Sequence, residues 1–259
     1  MEVLNANLYD YPKYYDLLFG SDWKAEFDFL EACFEKHAKR TVGRLFEPAC
    51  GTGRLIAKFA EVGYEVSGND LNSRAIDYCN ARLCRRGLPK STFVADMADF
   101  KLPRKVDAAF NTINSFRHLG SETAAESHLQ CIANALKKGG LYVLGLHLTP
   151  SRKPQCSEEA WSARRGNLAV LSHMRSIDLD RRRRQERVAM TVDVYTPTKQ
   201  FQIKEEMVFR TYTLDQFRRL LARVPELETA ETYDFAYDIE CAIKPTKQTE
   251  DVVFVLRKK

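Results

Sequence analysis

Glycine, acidic and amide residues stand in the first half of the chain at the points where short apolar runs end. The first run leads into Glu47-Pro48-Ala49-Cys50-Gly51-Thr52-Gly53, and Asp70, Asp96 and Asn111 follow the next three runs. Glycine lets a ligand approach the backbone, and the start of the following helix offers free N–H groups. A carboxylate at Asp70 can accept hydrogen bonds from both hydroxyls of a ribose, and one at Asp96 can accept from an exocyclic amine. This conjunction predicts a nucleoside-cofactor site.

The elements that must position these residues alternate between strands and helices, which is typical of βαβ units and a parallel sheet. In such a sheet ligands bind at the carboxyl ends of the strands, so the residues above are expected to meet at one edge. The helix that begins at Ser121 is expected to end in the basic turn Lys137-Lys138-Gly139-Gly140. The predicted strands are 45–46, 64–68, 92–95, 106–110 and 141–146, and the predicted helices follow Gly53, span 72–86 and begin at Ser121.

The pattern changes after Pro150, where a polar and irregular stretch (151–166) is followed by β-rich segments without intervening helices. These segments, 168–179, 186–195 and 199–210, indicate an antiparallel insertion. A capping box at Thr213-Leu214-Asp215-Gln216 opens a further helix, and two last strands complete the sheet. The expected domains are N-terminal helices with a cofactor-binding core (1–150), a β insertion that acts as a lid (151–210), and a return to the core (211–259).

Two cofactor classes use a glycine turn of this kind, and the third glycine position separates them. A dinucleotide fingerprint reads Gly-x-Gly-x-x-Gly, but Ile56 occupies the third position here. That glycine serves close helix–strand packing beneath a pyrophosphate, so its absence weakens the interpretation of the chain as a dehydrogenase.

Residues 45–147 resemble the class I S-adenosylmethionine-dependent methyltransferases. The resemblance implies a Rossmann-like parallel sheet with helices on both faces, an antiparallel last strand, and an antiparallel β insertion as a lid. It also implies an enzyme that transfers a methyl group from S-adenosylmethionine to a small-molecule acceptor by in-line displacement. The motifs that carry it are 45–54, 66–72, 93–97 and 136–140, and the stretches 11–19 and 209–213 resemble a subgroup whose β-sheet insertion covers the acceptor.

The resemblance further implies a role for each residue at the sheet edge. At the methionine end of the cofactor, Ala49 to Gly53 would pass beneath the ligand, while Glu47 and the backbone carbonyl of Asn111 would bind its ammonium group. At the other end, Asp70 would hold the ribose hydroxyls and Leu71 would pack on the adenine. Asp96 and the backbone of Met97 would read the adenine edge.

The residues that act on the methyl acceptor are less evident, because the cofactor carries the reactivity and an amine acceptor needs only to be neutral. A hydroxyl acceptor usually needs a base, for which His118 and His147 are the weak candidates. A structural role is the alternative for both histidines. The sequence does not say which atom receives the methyl group.

Composition restricts the partners of the chain. Its 259 residues carry a net charge of +5 with an arginine run at Arg181-Arg182-Arg183-Arg184, which is more often a solvated turn than a nucleic-acid site. Two alternatives therefore stay open: a methyltransferase acting on RNA, and a non-catalytic S-adenosylmethionine-binding protein. Seven scattered cysteines, short apolar runs and the absence of a signal-like start predict a reduced, cytoplasmic protein without membrane spans or metal.

Overall fold

The computed structural model describes residues 2–152 and 158–259, which form two β-sheets and the helices that cover them. The helices are Pro12–Phe19 (α1), Lys24–His37 (α2), Arg54–Glu61 (α3), Ser73–Cys84 (α4), Glu122–Ala135 (α5) and Leu214–Leu221 (α6). The strands are Glu2–Asn5 (β1), Arg44–Pro48 (β2), Glu65–Asp70 (β3), Thr92–Val94 (β4), Val106–Asn111 (β5), Leu136–His147 (β6), Glu158–Arg165 (β7), Leu168–Asp180 (β8), Gln185–Tyr195 (β9), Gln200–Arg210 (β10), Leu227–Tyr233 (β11) and Asp251–Lys258 (β12).

The larger sheet has seven strands in the order β11-β12-β6-β5-β2-β3-β4. Strands β4, β3, β2, β5 and β6 run parallel, whereas β12 is antiparallel to both β6 and β11. The predicted fold class, a Rossmann-like sheet with an antiparallel last strand, is confirmed. None of the helices in the described residues is long and apolar enough to cross a bilayer.

The strands of this sheet are apolar on both sides because helices cover both faces. Leu45 packs in a cluster with α2 and α3, while its neighbour Phe46 packs on the opposite face with α5 and α6. Local caps start the helices of the second face as predicted. The Ser121 hydroxyl accepts from the amide of Ala124, and Thr213 forms a complete capping box with Gln216.

The smaller sheet has the order β1-β10-β9-β8-β7, and one of its faces packs against α1 through Leu17, Leu18 and the buried valines of β8 and β9. Strands β7 to β10 pair antiparallel, as predicted for the insertion, and the arginine run forms the turn between β8 and β9. The prediction that 151–166 is irregular was wrong for Glu158–Arg165. That segment is a largely exposed edge strand, so burial imposes little apolar alternation on it. Strand β1, which pairs parallel with β10, was not predicted.

The end of α5 also differs from the prediction. The helix stops at Ala135, and Lys137-Lys138-Gly139-Gly140 belongs to strand β6 instead of a last helical turn. Lys137 binds the carboxylate of Asp107 at 2.8 Å, and Gly139 has a φ of +77°, which suits the irregular register between β5 and β6. The contact with Asp107 is a long-range one that helix-terminus rules do not include.

Asp107 collects four hydrogen bonds at the edge of the sheet opposite to the predicted site. Arg40 Nε and Lys137 Nζ donate to it at 2.8 Å each, and the amides of Gly43 and Arg44 donate at 3.2 and 3.0 Å. Burial alone would raise the pKa of the Asp107 carboxyl, but these hydrogen bonds outweigh it and lower the pKa. The side chain thereby joins the segment before β2 to β5 and β6.

We predict that Asp107→Asn lowers the free energy of unfolding by about 2 kcal/mol at pH 7, because a neutral amide replaces a carboxylate that accepts four bonds. Since the folded-state pKa of Asp107 is lowered, its contribution is present above the unfolded-state pKa and is lost as the pH falls through the folded-state value. Urea unfolding of both proteins from pH 7 to pH 3 measures this. Asp28→Asn, on an exposed ion pair, is the control and should change little. A pH-independent difference would contradict the assignment.

Candidate functional site

The loop between β2 and α3 has a backbone that few side chains tolerate. Ala49, Gly51 and Gly53 all have positive φ, at 51°, 52° and 67°. A Cβ on Gly53 would lie 2.1 Å from the sulfur of Cys79 on α4, so this position has room only for glycine. The loop therefore passes the carboxyl edge of the sheet as nearly bare backbone before α3 begins at Arg54.

Asp70, the last residue of β3, holds this loop in place. Its Oδ2 accepts from the amide of Gly51 and its Oδ1 from the amide of Asn72, both at 2.8 Å. Burial raises the pKa of the Asp70 carboxyl, although these two hydrogen bonds oppose the shift. Each carboxylate oxygen has a second lone pair, so Asp70 can still accept hydrogen bonds from a ligand.

Glu47, near the end of β2, is a carboxylate that lacks a partner for one of its atoms. Its Oε2 is enclosed and has no hydrogen-bond partner within the described residues. Burial raises the pKa of Glu47 well above its usual value, and Arg54 only partly offsets this. Arg54 itself forms an ion pair with the buried Glu26. A cationic group beside Glu47 would relieve the cost of burying this carboxylate.

Asp96, Met97 and Leu71 lie at the ends of the neighbouring strands. Asp96 is exposed, and its Oδ1 accepts from the amide of Ala98 at 2.8 Å. Met97 is buried, with its carbonyl bound by His128, and Leu71 is 69% exposed just beyond Asp70. An exposed leucine beside an exposed carboxylate offers both an apolar surface and an acceptor to a flat heterocyclic ring.

Asn111 ends β5 and is buried. Its side-chain amide donates to the carbonyl of Pro48 at 2.9 Å, which joins the ends of β5 and β2. Its Oδ1 has no hydrogen-bond partner in the described part of the chain. Asn111 and Glu47 are thus two residues of this edge with an unsatisfied buried oxygen.

Aromatic residues of the N-terminal segment cover the glycine loop. A Cβ on Gly51 would lie 3.8 Å from a ring carbon of Tyr15, and the rings of Tyr15 and Tyr9 are 5.2 Å apart. Burial raises the pKa of Tyr15 to about 12 and raises the pKa of Tyr9 as well. Tyr11 of the same segment stacks on Tyr14.

His118, which follows β5, contacts Tyr9 of this aromatic cover. Its Nε2 lies 3.2 Å from the hydroxyl oxygen of Tyr9, and the two residues are 109 positions apart in sequence. His118 is partly open to solvent, but desolvation by the neighbouring rings of Tyr9 and Phe209 and the charge of Arg117 lower its pKa. Arg117 is itself fixed by a buried ion pair with Glu186 of β9 and a bond to the carbonyl of Arg210 at 3.1 Å. The two sheets therefore jointly set the position of His118.

His147, the second candidate base, is in a different environment. Its Nδ1 is 2.5 Å from Asp251, its cross-strand partner on β12, and its ring packs against Phe235 at 4.9 Å. The amide of His147 donates to the side chain of Asn114 at 3.0 Å. These contacts are consistent with the structural role named as the alternative for this residue.

The arginine run contributes to the fold at Arg181 and Arg184, and Arg181 donates to the carbonyl of Pro150 at 2.9 Å. Arg184 pairs with Glu122 of α5, donates to the carbonyl of Thr211 at 3.2 Å, and stacks over the ring of Tyr212. Arg182 and Arg183 are exposed. The described residues contain no cluster of histidine, cysteine, aspartate or glutamate that could hold a metal ion.

Sequence reasoning missed three residues of this region, namely Tyr9, Arg54 and His128. Tyr9 and His128 gain their significance from partners far away in sequence, so no local spacing marks them. For Arg54 a signal existed, because a charged residue directly after a glycine turn is placed at the edge where ligands bind.

Comparison with known proteins agrees with this geometry. The sequence profile of a methyltransferase domain matches residues 46–140, the segment that runs from the glycine loop to the start of β6. This segment is therefore similar to methyltransferase domains. The predicted resemblance to S-adenosylmethionine-dependent methyltransferases is thereby confirmed, and the domain contains all the predicted cofactor-binding residues.

Solved structures extend the similarity beyond the methyltransferase domain to the whole fold. An S-adenosylmethionine-dependent methyltransferase from Clostridium acetobutylicum superposes with a TM-score of 0.78 at 18% identity and covers 97% of this chain and 99% of its own. CalS10, an S-adenosylmethionine-bound amino pentose methyltransferase from Micromonospora echinaspora, superposes with a TM-score of 0.71 at 18% identity over the full length of both chains. A dTDP-3-amino-3,4,6-trideoxy-alpha-D-glucopyranose N,N-dimethyltransferase from Streptomyces venezuelae is 27% identical over 139 residues, which are 52% of this chain and 56% of that protein.

We predict that Asp70→Ala weakens the binding of S-adenosylmethionine at least about 30-fold, because the loss of a charged acceptor removes about 2 kcal/mol or more of hydrogen bonding. Isothermal titration calorimetry measures the dissociation constant, and thermal unfolding without ligand reports any loss of stability. Asp77→Ala removes an exposed aspartate from the neighbouring α4 and serves as the matched control. Unchanged affinity in Asp70→Ala would remove Asp70 from the predicted site.

Proposed function

We propose that this chain is an enzyme that transfers a methyl group from S-adenosylmethionine to a small-molecule acceptor. The observation that carries the proposal is Glu47, whose enclosed oxygen has no partner in the described residues beside a glycine loop that leaves room for a ligand. The ammonium group of S-adenosylmethionine supplies the cation that such a carboxylate lacks. The methyltransferase domain and the S-adenosylmethionine-bound relative support the same cofactor.

The remaining residues of the edge divide between the two ends of the cofactor. Ala49, Cys50, Gly51 and Gly53 would present bare backbone to the methionine part, and the carbonyl of Asn111 would join Glu47 at the ammonium group. At the adenosine end, Asp70 would accept from the ribose hydroxyls with the lone pairs that its amide bonds leave free. Leu71 would cover the adenine face, and Asp96 with the Met97 amide would bind its edge.

When bound, S-adenosylmethionine supplies an electrophilic methyl group on a sulfonium, so the protein has to align the acceptor and exclude water. Tyr9 and Tyr15 would exclude water, since they are half-buried and Tyr15 lies over the loop at Gly51. His118 would take up the proton of the acceptor, because its lowered pKa keeps the ring neutral at pH 7.

The acceptor would lie beneath the insertion, so we assign 151–210, of which 153–157 lie outside the described residues, as the lid over a core formed by 1–150 and 211–259. Strand β1 of the first segment adds to the sheet of this lid. The smaller sheet, which contains the strands of this lid, is joined to the region of His118 by the ion pair between Arg117 and Glu186 of β9. A small acceptor fits the similarity to two proteins named for the methylation of amino sugars. The six cysteines in the described ranges are free thiols, which supports a cytoplasmic location.

The first test is a parallel calorimetric titration of the protein with S-adenosylmethionine, S-adenosylhomocysteine and NAD. We expect both adenosyl ligands to bind and NAD not to bind. Turnover is then followed as S-adenosylhomocysteine release with a panel of small amines and phenols, and with RNA. Binding of NAD alone would overturn the proposal. Release with RNA alone would assign the acceptor to nucleic acid, and binding without any release would indicate a non-catalytic cofactor-binding protein.

We predict that His118→Ala lowers kcat about 100-fold with the acceptor that this panel identifies, while the dissociation constant for S-adenosylmethionine changes less than about twofold. Because neutral His118 is the active form, kcat/KM should rise with pH through an apparent pKa below the ordinary histidine value of 6.5 and then level off. His173→Ala, an exposed histidine of β8, is the control. A loss in His147→Ala instead of His118→Ala would transfer the role to the His147–Asp251 pair.

A further inference from the structure

The turn 95–98, which follows β4 and contains Asp96 and Met97, is bound by side chains at four consecutive carbonyls. Asn69 Nδ2 donates to the carbonyls of Ala95 and Asp96, at 3.3 and 3.2 Å. His128 Nδ1 lies 2.8 Å from the carbonyl of Met97, and Cys131 Sγ lies 3.6 Å from the carbonyl of Ala98. The donors come from β3 and α5, so the main sheet and its covering helix both restrain this turn.

His128 is enclosed, with 1% of its surface exposed, and its two ring nitrogens have different partners. Since the carbonyl of Met97 can only accept, Nδ1 must carry the ring hydrogen. Nε2 then accepts from the hydroxyl of Tyr142 on β6, at 2.8 Å. Burial lowers the pKa of His128 to about 4 and raises the pKa of Tyr142, so both groups are neutral at pH 7 and the direction of the bonds is fixed.

The bond from His128 extends through one peptide group to Asp96. The Met97–Ala98 peptide is held at its carbonyl by His128 and at its N–H by the Oδ1 of Asp96, at 2.8 Å. Because a peptide group is planar, its carbonyl and its N–H rotate together. Fixing the carbonyl therefore fixes the direction of the N–H, and this N–H in turn orients the exposed carboxylate of Asp96.

We propose that His128 is a positioning residue for adenine recognition, acting through the Met97–Ala98 peptide on the carboxylate of Asp96. The inference rests on the proposed function, in which Asp96 accepts from the exocyclic amine of adenine. A carboxylate held in this position favours a 6-aminopurine and rejects a 6-oxopurine, because the oxo group presents an acceptor where the site requires a donor. His128 thereby sets the choice of nucleobase without touching it.

The test compares the affinities of S-adenosylhomocysteine and S-inosylhomocysteine, which differ at the six-position of the purine. We expect the wild-type protein to prefer the adenosyl ligand, and His128→Leu to reduce this preference about tenfold, the effect of losing about 1.4 kcal/mol of orientation. His128→Asn keeps a donor near the position of Nδ1 and should restore most of the preference. A purely structural role would weaken both ligands equally and leave their ratio unchanged.

His37→Leu is the matched control, because Nε2 of His37 lies 2.8 Å from the hydroxyl oxygen of Tyr233 in a similar histidine–tyrosine pair. Should His128→Leu fail to fold, Tyr142→Phe removes the hydroxyl that donates to Nε2 of His128 and should lower the same ratio. The inference is overturned if the ratio of the two affinities is unchanged in His128→Leu, or in Tyr142→Phe where that variant replaces it. It is also overturned if the wild-type protein binds both ligands equally. Failure of the wild-type protein to bind S-adenosylhomocysteine at all would instead overturn the proposed function.

Discussion

The carboxylate of Asp70 accepts a hydrogen bond from the amide of Gly51 on one oxygen and from the amide of Asn72 on the other. Asp70 lies one position beyond the last residues that pair β2 with β3. The two strands separate at this point, one into the glycine loop and the other into α4. The carboxylate continues their connection where backbone pairing has stopped. The same tie holds Gly51 within the loop of positive φ angles that passes close to Cys79 before α3 begins.

The charges around the loop are unbalanced in one direction. Glu26 and Asp70 are carboxylates that act on Glu47, and among the described residues the cation that acts on it is Arg54, which already pairs with Glu26. Burial is the largest cause of the raised pKa values of Glu47, Tyr9 and Tyr15, and the neighbouring carboxylates add to it. An environment of this kind binds a cationic molecule more readily than a neutral or anionic one of the same shape.

Features that depend on neighbouring residues could be predicted from the sequence, and features that depend on distant partners could not. The caps at Ser121 and Thr213 and the alternation of parallel strands with helices follow from local patterns. The predicted end of α5 was wrong because Lys137 binds Asp107, which is 30 positions away in sequence. In the site, Asp70 lies where its strand and turn require it, whereas the meeting of Tyr9 with His118 needs the second sheet to be folded.

The short strand β1 has a consequence for how this protein behaves in concentrated solution. Strand β10 has eleven residues, and an edge strand of this length without a partner would be a template for pairing with another molecule. Strand β1 occupies its first part, the amide of Leu8 reaches Glu205 in its middle, and Arg117 binds the carbonyl of Arg210 at its end. Three separate contacts thus cover the same edge of β10. The N-terminal segment that covers the glycine loop therefore also hinders edge-to-edge aggregation of the smaller sheet at β10.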